Sequence, residues 1–457
     1  MFRSLSLALV LMACGHARQS VSLYEAGDYA GAARAADDGL AKHPKDEGLH
    51  QMRVRAALAQ GDGLGLARSY HAYTQTIGED DKPFVRELAI ATLEAALASP
   101  SAKMKIIAIQ AIEAAEIQSL ADSVAERMED KDDRVVGAAA IAILRGGYLQ
   151  APEVAAQILA SENAEARAIV VDGLGKKAGA LAIDDLQKAV KDPDPRVRRI
   201  AIRWLGQLKD QSAVALLTRR MRDPDEAVRA AAATALARIG IGNLESLGTQ
   251  ALGDRALAMR LAGVELLAAA KRIDRLIQVA ESDADPMVAA EAALEAKRAD
   301  LAITSVQKAA QADLWTIRAG AANLATRAFG RDKARPFLLG LLEDKDLGVR
   351  LATARALAHA GDKAAAFAVF AAALEDRGPD GRRLAAAQDL ASFGDPRGIT
   401  ILDESARDLA ATPDARSAAV SAHRGARKIT AGLVAALADP SGLVRVEAAA
   451  ALVALAK

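Results

Sequence analysis

Aspartate and arginine recur at a fixed separation of six residues along much of this sequence. The pairs are Asp192 and Arg198, Asp223 and Arg229, Asp254 and Arg260, Asp344 and Arg350, and Asp439 and Arg445. A guanidinium and a carboxylate can form two parallel charge-assisted hydrogen bonds, so these residues could pair within a repeat or between neighbouring repeats as a structural ladder. The arginines could instead receive a phosphate or carboxylate ligand, but a residue type that returns in every repeat more simply serves the repeat interface.

The arginines of these pairs also mark a longer period. Arg167, Arg198, Arg229 and Arg260 follow one another at intervals of 31 residues. This position, here called the signature position, continues at intervals of 29 to 33 residues through Lys105, Val136, Ala289, Arg318, Arg350, Arg383, Arg416 and Arg445. Repeats of this length indicate supersecondary units that stack side by side. The sequence therefore predicts an all-α fold, an α-solenoid of about twelve helical hairpins.

Each repeat reads as a helix, a short turn and a second helix. In one clear case, residues 182–191 form the first helix, residues 192–195 form the turn, and residues 196–208 form the second helix. Aspartate and proline in the turn suit the first turn of a helix, where amide hydrogens lack partners. Every fourth residue from Val197 to Leu205 is apolar, which is typical of an amphipathic helix.

The pattern Val-Arg-x-x-Ala-x-x-Ala-Leu, seen at Val228–Leu236 and Val349–Leu357, resembles the HEAT repeats of short bacterial type that also occur in phycobilin lyases. The resemblance covers residues 84–457 and implies an extended curved surface for protein partners. It also leaves open a bilin lyase-like or hydroxylase-like enzyme.

Residues 21–80 follow a different pattern. Leu23-Tyr24-x-x-Gly27-Asp28-Tyr29, continued to Pro44, resembles a tetratricopeptide unit, and a weaker copy follows to Tyr70. The resemblance implies tetratricopeptide-like helices that cap the solenoid at its N-terminal side. A plain helical hairpin with the same capping role is the alternative, since terminal repeats are often atypical.

The single cysteine, Cys14, follows a cationic residue and a short apolar run. The segment Leu11-Met12-Ala13-Cys14 resembles a lipoprotein signal, which implies a signal peptide at residues 1–13, lipidation at Cys14 and a tether at residues 14–20. Gly15 implies the outer membrane, facing the periplasm, since inner-membrane retention usually places aspartate there. The alternative is an apolar N-terminus of a cytosolic protein.

A set of polar residues is expected on the exposed face of the second helices. Its members are Arg145, Lys176, Arg203, Arg238, Arg298, Arg327, Arg355 and His359. They form a candidate partner-binding face, although charges opposite an apolar stripe also arise as an ordinary solvated surface. Trp204 and Trp315 are predicted to anchor packing between helices.

Composition and motifs narrow the function. Lys plus Arg equals Asp plus Glu at 59 each, which gives no basic footprint for nucleic acid. The scattered histidines and the single cysteine predict neither a metal site nor a cofactor. The sequence instead predicts a non-enzymatic scaffold for protein partners, tethered to the membrane by lipid. An uncapped apolar face around Val446 predicts self-association through the C-terminal helix.

Overall fold

The computed structural model describes residues 15–376 and 381–457, and this part of the chain is helical without β-strands. Cys14 and the predicted signal peptide lie outside the described residues. The helices in the N-terminal half are α1 (Gly15–Glu25), α2 (Tyr29–Lys42), α3 (Glu47–Ala59), α4 (Gly63–Ile77), α5 (Lys82–Leu97), α6 (Ala102–Ala114), α7 (Ala121–Ala125), α8 (Asp133–Ala142), α9 (Ala151–Ile158), α10 (Ala164–Lys177), α11 (Ile183–Ala189), α12 (Pro195–Gln207), α13 (Val214–Arg220) and α14 (Glu226–Ile239).

The helices of the C-terminal half are α15 (Leu244–Leu252), α16 (Leu257–Ala269), α17 (Ile273–Ser282), α18 (Pro286–Glu295), α19 (Ala299–Ala309), α20 (Trp315–Phe329), α21 (Arg331–Leu341), α22 (Leu347–Ala360), α23 (Lys363–Ala373), α24 (Arg382–Ser392), α25 (Pro396–Arg407), α26 (Pro413–Ala426), α27 (Ala431–Ala435) and α28 (Gly442–Leu455). Short 3-10 helices lie at Gln118–Leu120, Glu126–Glu129, Gly179–Ala182, Gln211–Ala213 and Ala436–Ala438.

The chain divides into two compact units. One unit combines the residues up to Val135 with those from Leu374 to Lys457, and the other spans Val136–Ala373. In the second unit, the even-numbered helices from α10 to α22 are the second helices of hairpins, and each contacts the next even-numbered helix. The predicted all-α fold of stacked helical hairpins is confirmed.

Aspartate pairs in the turns explain where the second helices begin. The carboxylate of Asp194 accepts the backbone N–H of Arg196, and Pro195 occupies the first helical position of α12. Asp225 likewise accepts the backbone N–H of Val228 at 2.9 Å at the start of α14. These carboxylates satisfy amides that have no partner within the helix, so the turn composition sets the starts of α12 and α14.

Small residues set the spacing between neighbouring second helices. Val197, Ala201 and Leu205 of α12 are fully buried. A Cβ atom added at Gly206 would lie 2.8 Å from the Cα atom of Ala235 in α14, which is closer than side chains tolerate. The backbones of α12 and α14 therefore approach to a distance that alanine and glycine permit.

In the first unit, helix α28 is covered on two sides. It packs against α26, as a second helix of the series should, and also against α5 and α6. Val446 is fully buried and Ala450 is 6% exposed. The expectation of an uncapped apolar face on the C-terminal helix is therefore wrong, because other helices of the same unit cover it.

The N-terminal segment of the described chain is a packed helix. Residues from Gly15 onward belong to α1, which packs on α2, and Ala17 is buried. The Ser20 hydroxyl donates a hydrogen bond of 2.8 Å to the carbonyl oxygen of Ala32 in α2. The described part of the segment predicted as a lipidated tether, residues 15–20, is helical, because α1 begins at Gly15.

Candidate functional site

The arginine at the signature position reaches forward to the next hairpin. Nη2 of Arg198 donates to Oδ1 of Asp223 at 2.7 Å, and the exposed fraction of these side chains is 9% and 0%. Nη1 of the same guanidinium donates to the backbone carbonyl oxygens of Asp192 and Pro193, both at 2.9 Å. The aspartate six residues earlier thus offers its carbonyl oxygen to Arg198, while its carboxylate serves the previous hairpin.

The same forward ion pair recurs in both units. The pairs are Arg167 with Asp192, Arg198 with Asp223, Arg229 with Asp254, Arg260 with Asp283, Arg318 with Asp344, Lys105 with Asp130 and Arg416 with Asp439. Each carboxylate also accepts the backbone N–H two residues further on, as Asp223 does from Asp225 at 3.1 Å. One aspartate therefore shapes its own turn and joins two hairpins.

In most hairpins, a basic residue at the signature position is accompanied by an aspartate in the turn of the following hairpin. The signature residues Val136 and Ala289 carry no charge, and the hairpins that follow them have Ser161 and Ala312 in place of the aspartate. The correlation fits a structural role, because a buried carboxylate without its cation would be costly. Arg350 and Arg383 are exceptions, since the corresponding positions of the hairpins that follow them are Arg377 and Ala410. Arg383 donates instead to the carbonyl oxygen of Leu374 at 2.8 Å.

Charge pairing changes the acidity of several aspartates. The hydrogen bond from Arg318 holds the pKa of Asp344 below its usual value, and the same bond raises the pKa of Arg318. The backbone N–H of Ala256 and then Arg229 lower the pKa of Asp254. At the helix start, Arg196 lowers the pKa of Asp194 to about 2. These carboxylates stay ionised at neutral pH and are engaged by the fold.

A groove of about 500 Å³ crosses three successive second helices of the second unit, α12, α14 and α16. The middle helix presents the small side chains of Ala230, Ala231, Thr234 and Ala235 to it, followed by Arg238 one turn later. The flanking helices contribute longer residues, among them Arg199 and Leu261. The groove exists because a run of small residues lies between two helices with larger ones.

Three arginines and one glutamate give the groove a cationic character. Its longer lining residues are Arg199, Arg203 and Gln207 of α12, Arg238 of α14, and Leu261 and Glu265 of α16. Arg203 pairs with Asp172 and lies over the ring of Trp204, with 5.5 Å between the guanidinium carbon and the ring centroid. Arg199 and Arg238 are exposed and form no ion pair within the described part of the chain. Two guanidinium groups therefore remain available to a ligand.

The groove includes only two residues of the predicted partner-binding face. Arg203 and Arg238 lie in the groove. Lys176 and His359 are exposed residues of α10 and α22, and Arg355 is a partly exposed residue of α22. Arg327 is engaged by Glu291 at 2.8 Å and lies 3.8 Å from Glu295, so its charge is offset.

Two members of that face lie outside the second helices. Arg298 precedes α19, where it pairs with Asp300 at 2.6 Å. Arg145 follows α8 and donates to the carbonyl oxygen of Lys177. Their assignment to a second-helix face is wrong, because α8 ends at Ala142 and α18 ends at Glu295, before each arginine is reached.

The two tryptophans differ in environment. Trp204 packs against Gly175 and donates its indole N–H to Oδ1 of Asp172 at 2.8 Å. Trp315 begins α20 and is 47% exposed, so the prediction that it anchors packing holds only for its contact with Gly348.

One constellation escaped the sequence analysis. His423 is fully buried, and its Nε2 lies 2.8 Å from Oδ1 of Asp403, which also accepts the Thr430 hydroxyl at 2.6 Å. In a nucleophilic triad the hydroxyl contacts the imidazole, whereas here both groups share one carboxylate oxygen. The three residues pin α25, α26 and the start of α27 together. They are remote in sequence and match no spacing motif.

In residues 15–376 and 381–457, no group of three histidine, cysteine, aspartate or glutamate side chains is arranged to hold a metal ion. Within the same residues, every helix is too short or too polar to span a bilayer.

Comparison with known proteins identifies the repeat type. The family model for HEAT repeats matches residues 151–237, 183–268 and 304–391, and these segments are therefore HEAT repeats. No curated protein matches the chain.

Solved structures share weak similarity with the chain. Escherichia coli YibA is 18% identical, with 61% of this chain and 95% of that chain covered and a TM-score of 0.30. The complex of CpcE and CpcF of phycocyanin lyase from Nostoc sp. PCC7120 is 21% identical, covering 55% and 92%, with a TM-score of 0.28. Importin beta is 15% identical, covering 90% and 59%, with a TM-score of 0.28.

Proposed function

We propose that this protein is a non-enzymatic scaffold that binds an acidic segment of a protein partner in the groove of α12, α14 and α16. The observation that carries the proposal is the pair of exposed arginines, Arg199 of α12 and Arg238 of α14, in the lining of a groove whose middle helix carries a run of small residues. Guanidinium groups donate paired hydrogen bonds to carboxylates, and Leu261 of α16 adds an apolar side chain to the same groove.

The HEAT repeats support an interaction role of this kind. Stacked hairpins offer extended surfaces that contact a partner through many modest interactions. Most of the ladder arginines are engaged by the fold, whereas Arg199 and Arg238 in the groove have no ion-pair partner among the described residues. This distribution favours recognition by position along the stack over a diffuse electrostatic attraction.

The experiment measures fluorescence polarisation of a labelled peptide with alternating glutamate and leucine. The variant Arg199→Glu/Arg238→Glu should weaken binding by about a hundredfold, since two charge-assisted contacts are replaced by repulsion. Arg219→Glu on α13, an exposed arginine outside the groove, is the matched control and should bind like the parent protein. Equal loss in the control, or a lysine-leucine peptide that binds equally well, would contradict the proposal.

The same proposal includes a location at the bacterial cell envelope. Cys14 and the apolar run before it support a lipid-anchored protein of the outer membrane facing the periplasm, with residues 21–80 as a tetratricopeptide-like region and residues 84–457 as the HEAT-repeat region. Since α1 begins at Gly15, a lipid at Cys14 would hold α1 close to the membrane surface. Labelling of cells with radioactive palmitate should mark the parent protein and leave Cys14→Ser unlabelled.

The absence of catalysis is also part of the proposal. The buried trio of Asp403, His423 and Thr430 lacks the geometry of a nucleophilic triad. Iron or a bilin chromophore retained in stoichiometric amount by purified protein would contradict this and favour the enzymatic alternative.

A further inference from the structure

A second cavity lies in the first unit, where α28 packs against α5 and α6. It has a volume of about 520 Å³, and its apolar lining includes Leu58, Met104, Leu437 and Val446. Arg445 is the cationic residue of this lining. A charged group among alanine, leucine and methionine side chains points to an anionic ligand with an apolar part.

Arg445 makes only half of the contacts that its equivalents make. Its Nη1 donates to the carbonyl oxygens of Asp439 and Pro440 at 2.7 and 3.1 Å, as Arg198 does in its own turn. In Arg167, Arg198, Arg229, Arg260, Arg318 and Arg416, Nε or Nη2 binds an aspartate of the following hairpin. For Arg445 no such carboxylate is found within the described residues. Arg445 and Gly442 both line the cavity, and a Cβ atom added at Gly442 would lie 3.5 Å from Nη2 of Arg445.

The reason for the missing carboxylate is visible in the neighbouring hairpin. The α5–α6 hairpin packs against α28, and Lys105 occupies its signature position. Six residues before Lys105, where the ion-paired hairpins carry aspartate, the residue is Ser99. The Ser99 hydroxyl accepts the backbone N–H of Ser101 at 3.1 Å, which is the bond that Asp192 accepts from Asp194.

Ser99 thus fills the structural place of the aspartate but lacks its charge. Its hydroxyl contacts the sulfur of Met104 at 3.4 Å, and Met104 in turn lies beside Gly442 at the wall of the cavity. The nearest acidic residue of the lining, Asp439, is already neutralised by two hydrogen bonds of 2.9 Å from Arg416. The cavity therefore holds a cation and no free anion.

We propose that Arg445 binds the carboxylate of an external ligand, whose apolar group occupies the cavity between α5, α6 and α28. The ligand completes the ion pair that an aspartate completes elsewhere in the ladder. Two sources share this chemistry: a small free carboxylic acid and the C-terminal residue of a peptide. The site is independent of the groove in the second unit and does not rest on the proposed function.

The test uses isothermal titration calorimetry on the full-length protein. Hexanoate represents the free acid and hexanamide is its neutral control. The peptide acetyl-Gly-Gly-Leu with a free carboxylate represents the second source, and the same peptide with an amide end is its control. At least one carboxylate should bind, and its neutral control should bind about tenfold or more weakly, because a charge-assisted contact is lost.

Two substitutions test the ion pair itself. Ser99→Asp supplies the missing internal carboxylate, so it should raise the melting temperature and weaken carboxylate binding by about tenfold or more. Ser99→Asn has nearly the same size without the charge and should bind like the parent protein. Arg445→Gln should also lose carboxylate binding. Because Ser99→Asp is expected to be more stable than the parent protein, its loss of binding cannot be attributed to unfolding.

The outcomes separate the alternatives. Binding of hexanoate alone identifies a free acid, and binding of the peptide carboxylate alone identifies a chain terminus. The proposal is overturned if neither carboxylate binds, if the neutral compounds bind equally well, or if Ser99→Asp binds like Ser99→Asn.

Discussion

The guanidinium of Arg318 donates to both carboxylate oxygens of Asp344, 26 residues further along the chain, at 2.7 and 3.0 Å. The side chains are 7% and 10% exposed, so the pair is shielded from solvent. The carbonyl oxygens of Ala312 and Asp313 accept the remaining Nη1 bonds, both at 2.8 Å. Such a fully hydrogen-bonded arrangement offsets the cost of burying two charges.

Removal of one partner from this pair should be strongly destabilising. In Asp344→Ala the Arg318 guanidinium is left buried without its anion, and we expect a loss of about 3–5 kcal/mol in the free energy of unfolding. The double variant Arg318→Met/Asp344→Asn should lose less than the sum of Arg318→Met and Asp344→Asn, because the two effects share one interaction. Urea unfolding followed by circular dichroism measures all four proteins. Strict additivity would contradict the pairing.

Acid should weaken the fold through the same carboxylates. The pKa values of Asp344, Asp254 and Asp194 are lowered in the folded state, that of Asp194 to about 2. Their stabilising effect is full above the unfolded pKa of about 3.9 and is lost as the pH falls through the lower folded values. We expect the urea midpoint to be steady between about pH 5 and 7 and to fall from about pH 4 towards pH 2. A midpoint that is unchanged at about pH 3 would contradict this account.

Gly175 controls the position of Trp204. An added Cβ at Gly175 would lie 2.2 Å from Cγ of the indole, so Gly175→Ala should displace the ring. We expect a red-shifted tryptophan emission and a stability loss of about 1–3 kcal/mol from overpacking. The background Trp315→Phe removes the other tryptophan, and Gly340→Ala, with no atom within 4 Å of the added Cβ, is the matched control. Unchanged emission from Gly175→Ala would show that the indole is placed differently.

Val446→Asp should unfold the first unit before it alters any association. Val446 is fully buried where α28 packs, and an unpaired carboxylate there should cost more than about 3 kcal/mol. Val446→Thr, of similar shape and without a charge, should cost less. Thermal unfolding by calorimetry compares the two. A Val446→Asp protein as stable as its parent would mean that this face is open to solvent.

The hairpin fold was predictable because turns and apolar stripes are local signals. The sequence did not show which aspartate pairs with each ladder arginine. The six-residue interval from Asp192 to Arg198 suggests pairing within one turn as readily as pairing between hairpins. Nη1 of Arg198 takes the carbonyl oxygens of its own turn, and only the direction of stacking brings Asp223 to Nη2.

The candidate groove was partly visible in the sequence. Arg203 and Arg238 were expected on the exposed face. The small residues Ala230 and Ala231 that open the groove gave no signal in the sequence, because alanine is common in any helix. Arg298 was misplaced because α18 stops early, where Lys297 adopts a positive φ of 59°. One lost helical turn moves such a side chain from a helix face into a loop.

The packing of α28 against α5 and α6 has a consequence for biosynthesis. The first unit draws on both ends of the chain, so it cannot assume its final form on the ribosome until residues 442–455 have emerged. Residues 136–373 form a compact unit from one continuous segment, so that unit can fold earlier in translation. Until α28 is synthesised, the apolar sides of α5 and α6 that it covers remain exposed. This exposed apolar surface makes the nascent chain prone to proteolysis and aggregation, which chaperones counter.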